Sequence, residues 1–250
     1  MKALLGACLL LAGGLVWADS SERLRALIME TEPWGFYQPE QGELQGIWID
    51  IARLLEDETG IEQQKRLAPY ARVMESLALG DADISYLIRS PDRDDEVLHA
   101  GLLFHFGSVV QARQGIRLND YEDLLGLRIG VLQGIRLSPR FDQDKRLHKI
   151  SVRNYETQLN MLEAGRLDAI AGNSLSLAYL QEKRQLDALL GDRLILQVTP
   201  VTLQFSRSSG ALELLPVMRQ GIEDLRAQGR IQAVLDAWAG PDWRVGEPSS

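Results

Sequence analysis

Apolar and polar positions along this chain switch repeatedly between two periods, and the switches divide it into short strands and helices. In "IWIDIARLLEDETG", Ile47, Ile51, Leu54 and Leu55 recur at i, i+4, i+7 and i+8, the spacing of one helix face, and Gly60 stops the run. "PYARVMESLALG" predicts a helix opened by Pro69 and closed by Gly80. "RLRALIME" (23–30), "IEQQKRLA" and "ADISYLI" are apolar enough for strands. The aromatic stretch "EPWGFYQPEQGELQG" reads as a loop punctuated by proline and glycine. "SPDRDDEVLH" predicts a short helix, and "GLLFHFGSVVQAR" a long extended stretch.

A second series begins at "YEDLLGLRIGVLQG", where "LRIGVL" is a strand, "SPRFDQ" a short helix start and "LHKISV" another strand. In "NYETQLNMLEAG", Asn154 is placed as an N-cap, Glu156 sits in the first turn and Gly165 follows the last. "RLDAIAG" and "SLSLAYLQEKRQ" continue the alternation, "RLILQV" and "VTLQFSR" read as two strands, and "ALELLPVMRQGIEDLRAQG" and "RIQAVLDAWAG" as helices stopped by Gly229 and Gly240. The tail "PDWRVGEPSS" is expected to fray. Strand–helix alternation throughout implies α/β architecture with parallel sheets. The extended stretches near 104–113 and 197–206 bracket the second series and read as two crossings between lobes. The expected organisation is lobe one over 19–110 and 203–240, lobe two over 111–202, and a tail over 241–250, with no internal repeat beyond the alternation itself.

Composition changes the picture at the N-terminus. Lys2 is the only charge in the first 18 residues, and "ALLGACLLLAGGLVWA" is an apolar run of signal-peptide length ending in small Ala18. A leader over 1–18 follows, cleaved before Asp19; the glycine-interrupted run is short for a membrane span. The single cysteine, Cys8, lies inside that leader, so the mature chain has no thiol for a disulfide or a nucleophile. Losing Lys2 with the leader makes the mature chain one unit more negative than the −8 of the full sequence. An acidic surface without a basic run argues against nucleic acid and anionic membranes as partners. Export without disulfides suits a bacterial periplasm.

The candidate chemistry is basic. "ISYLI" ends where open parallel sheets bind ligands, beyond the carboxyl ends of the strands. Arg89 stands at that exit, Ser90 is a suitable N-cap, Pro91 a suitable first helical residue, and Arg93 lies beside backbone N–H groups with no partner inside the helix. A cation there opposes the helix dipole unless an anion joins it, so the junction suits a carboxylate or phosphate. The competing reading is surface pairing of Arg93 with Asp92, Asp94, Asp95 or Glu96, worth about 0–1 kcal/mol. "VLQGIRLSPR" (131–140) repeats the order strand, glycine, arginine, Ser-Pro, with Gly134 permitting close backbone approach, or simply making a turn, and Arg136 at the strand exit. Two strand ends that each release an arginine face one another if the lobes close like jaws.

"GELQGIWIDIARLL", "LALGDADISYLIRSPDR", "LLGLRIGVLQG", "MLEAGRLDAIAGN" and "IEDLRAQGRIQAVLDAWAG", in that order, resemble the bacterial extracellular solute-binding proteins of family 3. These are periplasmic receptors of polar amino-acid ABC transporters, and the resemblance runs from about residue 24 to 240. It implies the type II periplasmic-binding-protein fold: two lobes, each a mostly parallel sheet flanked by helices, joined by two hinge strands and closing over a small ligand. The family's carboxylate-binding arginine falls on Arg93 in "SPDR", and its aromatic platform falls on Trp34 or Phe36. Tyr86 stands where the family commonly has small or hydroxyl residues. Ile135 and Arg136 replace the hydroxyl residues expected after the glycine of lobe two. Asn173 replaces the aspartate that pairs with a ligand ammonium, and an amide brings no compensating charge. Glu32 or Asp50 are the acids left to compensate one.

The ligand-binding set implied is therefore Trp34, Phe36, Tyr86, Arg89, Arg93, Arg136 and Asn173, around a small carboxylate-bearing solute, an amino acid or related organic anion. The implied partner is a membrane ABC permease or, alternatively, a sensor; the chain is expected to be a monomer without cofactor or metal. His99, His105 and His148 lack metal-ligand spacing. The same fold hosts periplasmic dehydratases, but neither a nucleophile elbow nor a phosphate loop occurs, and Glu32 is the one candidate for acid catalysis.

Overall fold

In the computed structural model, which describes residues 23–245, the chain opens with β1 (Leu24–Met29), whose alternate side chains Leu24, Ala26 and Ile28 are buried. The leader and Cys8 lie outside the described residues. The aromatic loop contains a small hairpin, β2 (Phe36–Gln38) against β3 (Glu43–Gln45). Then come α1 (Ile47–Thr59), β4 (Gln63–Ala68), α2 (Tyr70–Leu79) and β5 (Ile84–Ile88). α1 buries Ile47, Ile51 and Leu55 as its spacing predicts, and Gly60 ends it in the left-handed region.

The expected helix at "SPDRDDEVLH" does not form. One 3-10 turn, Pro91–Arg93, is followed by β6 (Val97–Arg113), and Ser90 accepts no capping hydrogen bond. Strand pairing claims the segment: Val97, Leu98 and His99 lie opposite Ser206, Phe205 and Gln204.

The second series runs through β7 (Arg128–Leu132), α3 (Pro139–Gln143), β8 (His148–Val152), α4 (Tyr155–Glu163), β9 (Ala169–Asn173) and α5 (Ser174–Arg184). Asn154 caps α4 by accepting from the Thr157 amide, and Ser138 caps α3 by accepting from Phe141. β10 (Leu190–Ser206) is a single strand where two were expected; the irregularities in its register on β6 bend the ladder without breaking it. α6 (Leu215–Ala227) and α7 (Arg230–Ala239) follow. The start of the tail packs rather than frays: Trp243 is buried and meets Phe104 edge-on at 6.1 Å.

One eight-stranded sheet runs in the order β4-β1-β5-β10-β6-β9-β7-β8. β1 is parallel to β4 and β5, and β7 is parallel to β8 and β9. The long strands β6 and β10 are antiparallel and join the two parallel sets, β10 to β5 and β6 to β9. Packing changes hands along them. Phe104, Phe106 and Val201 belong to the first lobe's core, whereas Val110 belongs to the second's, with Leu194 and Leu196 packed against it. α5 serves both cores, through Leu175 and Ala178 on one and Leu177 on the other.

Strand direction decides where the parallel sets point. β5 runs in the same sense as β6, and β9 runs against it, so the carboxyl ends of the two sets face each other. Ile88 lies opposite Val201 and thereby level with Phe104, while Asn173 lies opposite Ser108. The step from 104 to 108 along β6 corresponds to about 13 Å.

Candidate functional site between facing strand ends

The loops leaving those carboxyl ends carry nearly every residue singled out in the sequence. From the first lobe come Glu32 and Trp34 after β1, and Arg89 and Arg93 after β5; from the second come Arg136 after β7 and Asn173 at the end of β9.

The aromatic residues mostly pack against one another. Trp34 is buried, its ring 4.9 Å from that of Trp48 and 6.4 Å from that of Phe104. Trp48 in turn stacks on Tyr86 at 5.5 Å. Large flat side chains gain most by covering one another, and this stack takes up the indole face that was expected to receive a ligand. Tyr86 is only 1% exposed, and its hydroxyl donates to Gln63 at 2.6 Å. Burial pushes that phenol well above its usual pKa. It is a core residue and offers no surface to a solute. Phe36 is half-buried and meets Trp238 edge-on at 6.1 Å.

The arginines divide into committed and uncommitted cations. Arg89 donates to Asp94 at 3.1 Å, and Asp94 also contacts His99 at 2.8 Å. Hydrogen bonds from His99 and Arg89 hold the Asp94 carboxyl below its usual range. Arg93 donates to the Tyr70 hydroxyl at 2.8 Å and to the Ile88 carbonyl, and its buried Nε has no partner. Among the described residues neither Arg93 nor Arg136 forms a salt bridge. Arg136 stands at the edge of a cavity of about 350 Å³. Every side chain lining that cavity comes from the second lobe, and Arg93 is not among them.

Asn173 is spent on helix capping. Its Oδ1 accepts from the Ser176 amide at 2.7 Å, and its backbone N–H donates to the Tyr155 hydroxyl at 3.2 Å. An amide at the end of β9 is explained by the helix that starts there.

Sequence reasoning missed the contacts between the loop after β1 and α5, the helix that packs in both cores. The Trp34 indole N–H donates to the Ser176 hydroxyl at 3.1 Å. Glu32 accepts from the Tyr179 hydroxyl and from the Lys183 ammonium. Tyr179 lies 6.0 Å from Trp238 of α7. These contacts tie the loop after β1 to α5. Tyr179 and Lys183 stand four residues apart on one face of α5, which was the available signal. Burial pushes the Glu32 carboxyl up, but hydrogen bonds from Lys183 and Tyr179 outweigh it and hold the group below its usual range. A carboxylate kept ionised is unsuited to general-acid work at neutral pH. Among the described residues no group of three or more His, Cys, Asp or Glu is arranged to hold a metal, and no helix is long and apolar enough to cross a membrane.

Residues 24–241 match the family model of the bacterial extracellular solute-binding proteins, family 3. The L-cystine-binding protein TcyJ of Escherichia coli (strain K12) is 24% identical over 220 residues, covering 85% of this chain and 80% of the relative. An ancestral cationic amino acid solute binding protein superposes with a TM-score of 0.70 at 17% identity, covering 86% of this chain and 95% of the other. A histidine kinase sensor domain with similarity to periplasmic binding proteins superposes at 0.65 and 17%, covering 88% and 97%.

Proposed function

Because this chain belongs to the bacterial extracellular solute-binding proteins of family 3, we propose that it is a monomeric periplasmic receptor that captures a small carboxylate-bearing solute between its lobes and delivers it to a membrane ABC permease. The observation that carries this reading is the opposed direction of the two parallel strand sets. Their carboxyl ends face each other, and the loop beyond each carries an arginine that has no carboxylate partner among the described residues. Arg136 supplies the cation of the second lobe. Arg93 supplies that of the first, exchanging its Tyr70 contact for the solute when β6 and β10 flex and the lobes approach.

Boundaries near 110 and 202 fall inside β6 and β10, toward their C-terminal ends, and both long strands are read as the hinge. Excluding water as the gap closes strengthens each charged hydrogen bond to about 1.5–3 kcal/mol, and a few of these leave affinity on the order of micromolar after ordering costs. In this reading the residues near the gap bind and orient the solute.

The test is a thermal-shift screen of purified protein over amino acids and small organic acids, followed by calorimetry of the hit on wild type and Arg93→Ala. Loss of the shift in Arg93→Ala with unchanged circular dichroism supports the clamp. An unchanged shift removes Arg93 from it. Mass spectrometry of the incubated hit shows turnover if the chain is an enzyme of the dehydratase kind. Reading of the closed form by a sensor rather than a permease is the second possibility, since the fold also serves a histidine kinase sensor domain. Co-purification with one or the other membrane protein separates them.

A further inference from the structure

The cavity edged by Arg136 lies on the sheet face that α3 covers. Alternation puts Val131, Ser151 and Ala171 on that face. Gly130 and Ile170 turn to the opposite side, where Gly130 meets Gln158 and Leu167 and Ile170 joins the core beneath α4. α3 is five residues long and buries a single side chain, Phe141, so it roofs only part of the face. Gly134, at φ +76° and with nothing near its missing Cβ, turns the chain outward after β7. Ile135 is left 55% exposed beside the opening.

The interior and the charged groups differ in chemistry. Val131, Leu137, Phe141 and Ala171 make the interior apolar. Among the charged groups, Lys149 already donates to the Phe141 and Asp142 carbonyls at 2.7 and 2.9 Å. Asp142 is the sole acid in the lining, and its carboxylate accepts from the Leu137 amide at 3.1 Å. Arg136 has no carboxylate partner among the described residues, which leaves the cavity with one uncompensated positive charge. Its volume falls near the lower end of small-molecule sites.

We propose that this cavity receives the apolar body of an organic monocarboxylate, branched aliphatic or aryl, whose carboxylate pairs with Arg136. The inference rests on the solute-binding reading and narrows its ligand class. A zwitterionic amino acid placed here carries no net charge and would leave the net positive charge of the lining, Arg136 and Lys149 against Asp142, uncompensated. A monocarboxylate brings only the charge Arg136 lacks.

The experiment titrates wild type with isovalerate, benzoate and phenylacetate, with isovaleramide as the uncharged control, and in a separate arm with L-cystine, L-arginine and L-glutamine. Two variants accompany it. Arg136→Gln removes the charge, and Ser151→Phe fills the cavity from the exposed edge strand β8, with circular dichroism checking that the fold is kept. The expected result is that at least one carboxylate binds and isovaleramide does not. Arg136→Gln then weakens binding about tenfold or more, and Ser151→Phe abolishes it. Carboxylates that fail to bind wild type, or that bind Ser151→Phe as tightly, overturn the inference. If amino acids alone bind, and Ser151→Phe leaves them unaffected, the cavity assignment falls while the receptor reading stands. If neither arm binds, both fall.

Discussion

The two lobes share one structural device and differ in what they do with the next arginine along. In the first, Arg25 of β1 grips Asp83 just before β5: its backbone N–H and Nε donate to Oδ2 at 2.8 Å, and Nη2 reaches Oδ1 at 2.7 Å and the Gly80 carbonyl at 2.8 Å. In the second, Arg128 of β7 grips Asp168 just before β9 by the same four bonds, the last to Gly165, at 2.9, 2.8, 2.7 and 2.8 Å. Each clamp fastens the start of one parallel strand to the start of its neighbour, at the end away from the gap. At the gap itself the likeness ends. Arg89 is tied to Asp94 and Arg93 to Tyr70 and Ile88, whereas Arg136 is tied to nothing among the described residues and stands beside a cavity.

The largest effects should come from breaking the clamps. Asp83 is nearly buried, at 6% side-chain exposure, and also accepts from the Ser209 hydroxyl at 2.7 Å; Asp168 is 24% exposed. Asp83→Ala should cost more than Asp168→Ala, because the Asp83 carboxylate is the more buried and its loss also strands the buried Ser209 hydroxyl. Urea unfolding measures both. Equal losses would mean that exposure does not separate the two clamps.

Acid sharpens the same comparison. The side-chain hydrogen bond from Arg128, with Coulomb attraction, depresses the Asp168 pKa to about 2 against the opposing effect of burial. Its ordinary value is about 3.9, so the native state binds the proton more weakly than the unfolded chain does. The stability this contributes is complete above about pH 4 and drains away as pH falls toward 2. For Asp83 burial pushes the other way, yet the bonds from Arg25 and Ser209 still leave its pKa lowered, so it drains in the same direction. Asp168→Ala should flatten the acid limb of stability against pH by up to one proton's worth. An unchanged limb would remove the clamp from the acid response.

Much of the frame was legible in the sequence, and the reasons are local. Gly60, Gly80 and Asn154 stop or start helices through their own backbone and side-chain chemistry, so no distant residue is needed to read them. The "SPDR" helix failed because pairing with β10, more than a hundred residues away, draws Val97–His99 into a strand. Tyr86 looked like a site residue because position along β5 says nothing of which rings will stack on it. The clamp repeat stands in the sequence as "LR" opening one strand and "G-x-x-D" opening another, in "LRALI" with "GDAD" and in "LRIGV" with "GRLD", but the sequence reading found no repeat beyond the alternation. Its meaning needed the three-dimensional neighbourhood.

Smaller effects belong to the contacts between the loop after β1 and α5. Lys183→Ala removes a partner of Glu32, but the pair is half exposed, so unfolding free energy should fall by less than about 1 kcal/mol. Trp34→Phe deletes the buried bond to Ser176 and should cost about 1 kcal/mol. Hydrogen exchange in the first turns of α5 should quicken in both. Unchanged exchange would mean that packing of Leu175 and Ala178 alone holds α5 on the first lobe.

The central claim is that the unpaired arginine of the second lobe, not the paired one of the first, captures a carboxylate. It is tested most directly by one thermal-shift series, run with the same solute on wild type, Arg136→Gln and Arg89→Gln. The account predicts a ligand-induced shift that disappears in Arg136→Gln and survives in Arg89→Gln. A shift that survives in Arg136→Gln, or that Arg89→Gln alone abolishes, contradicts it.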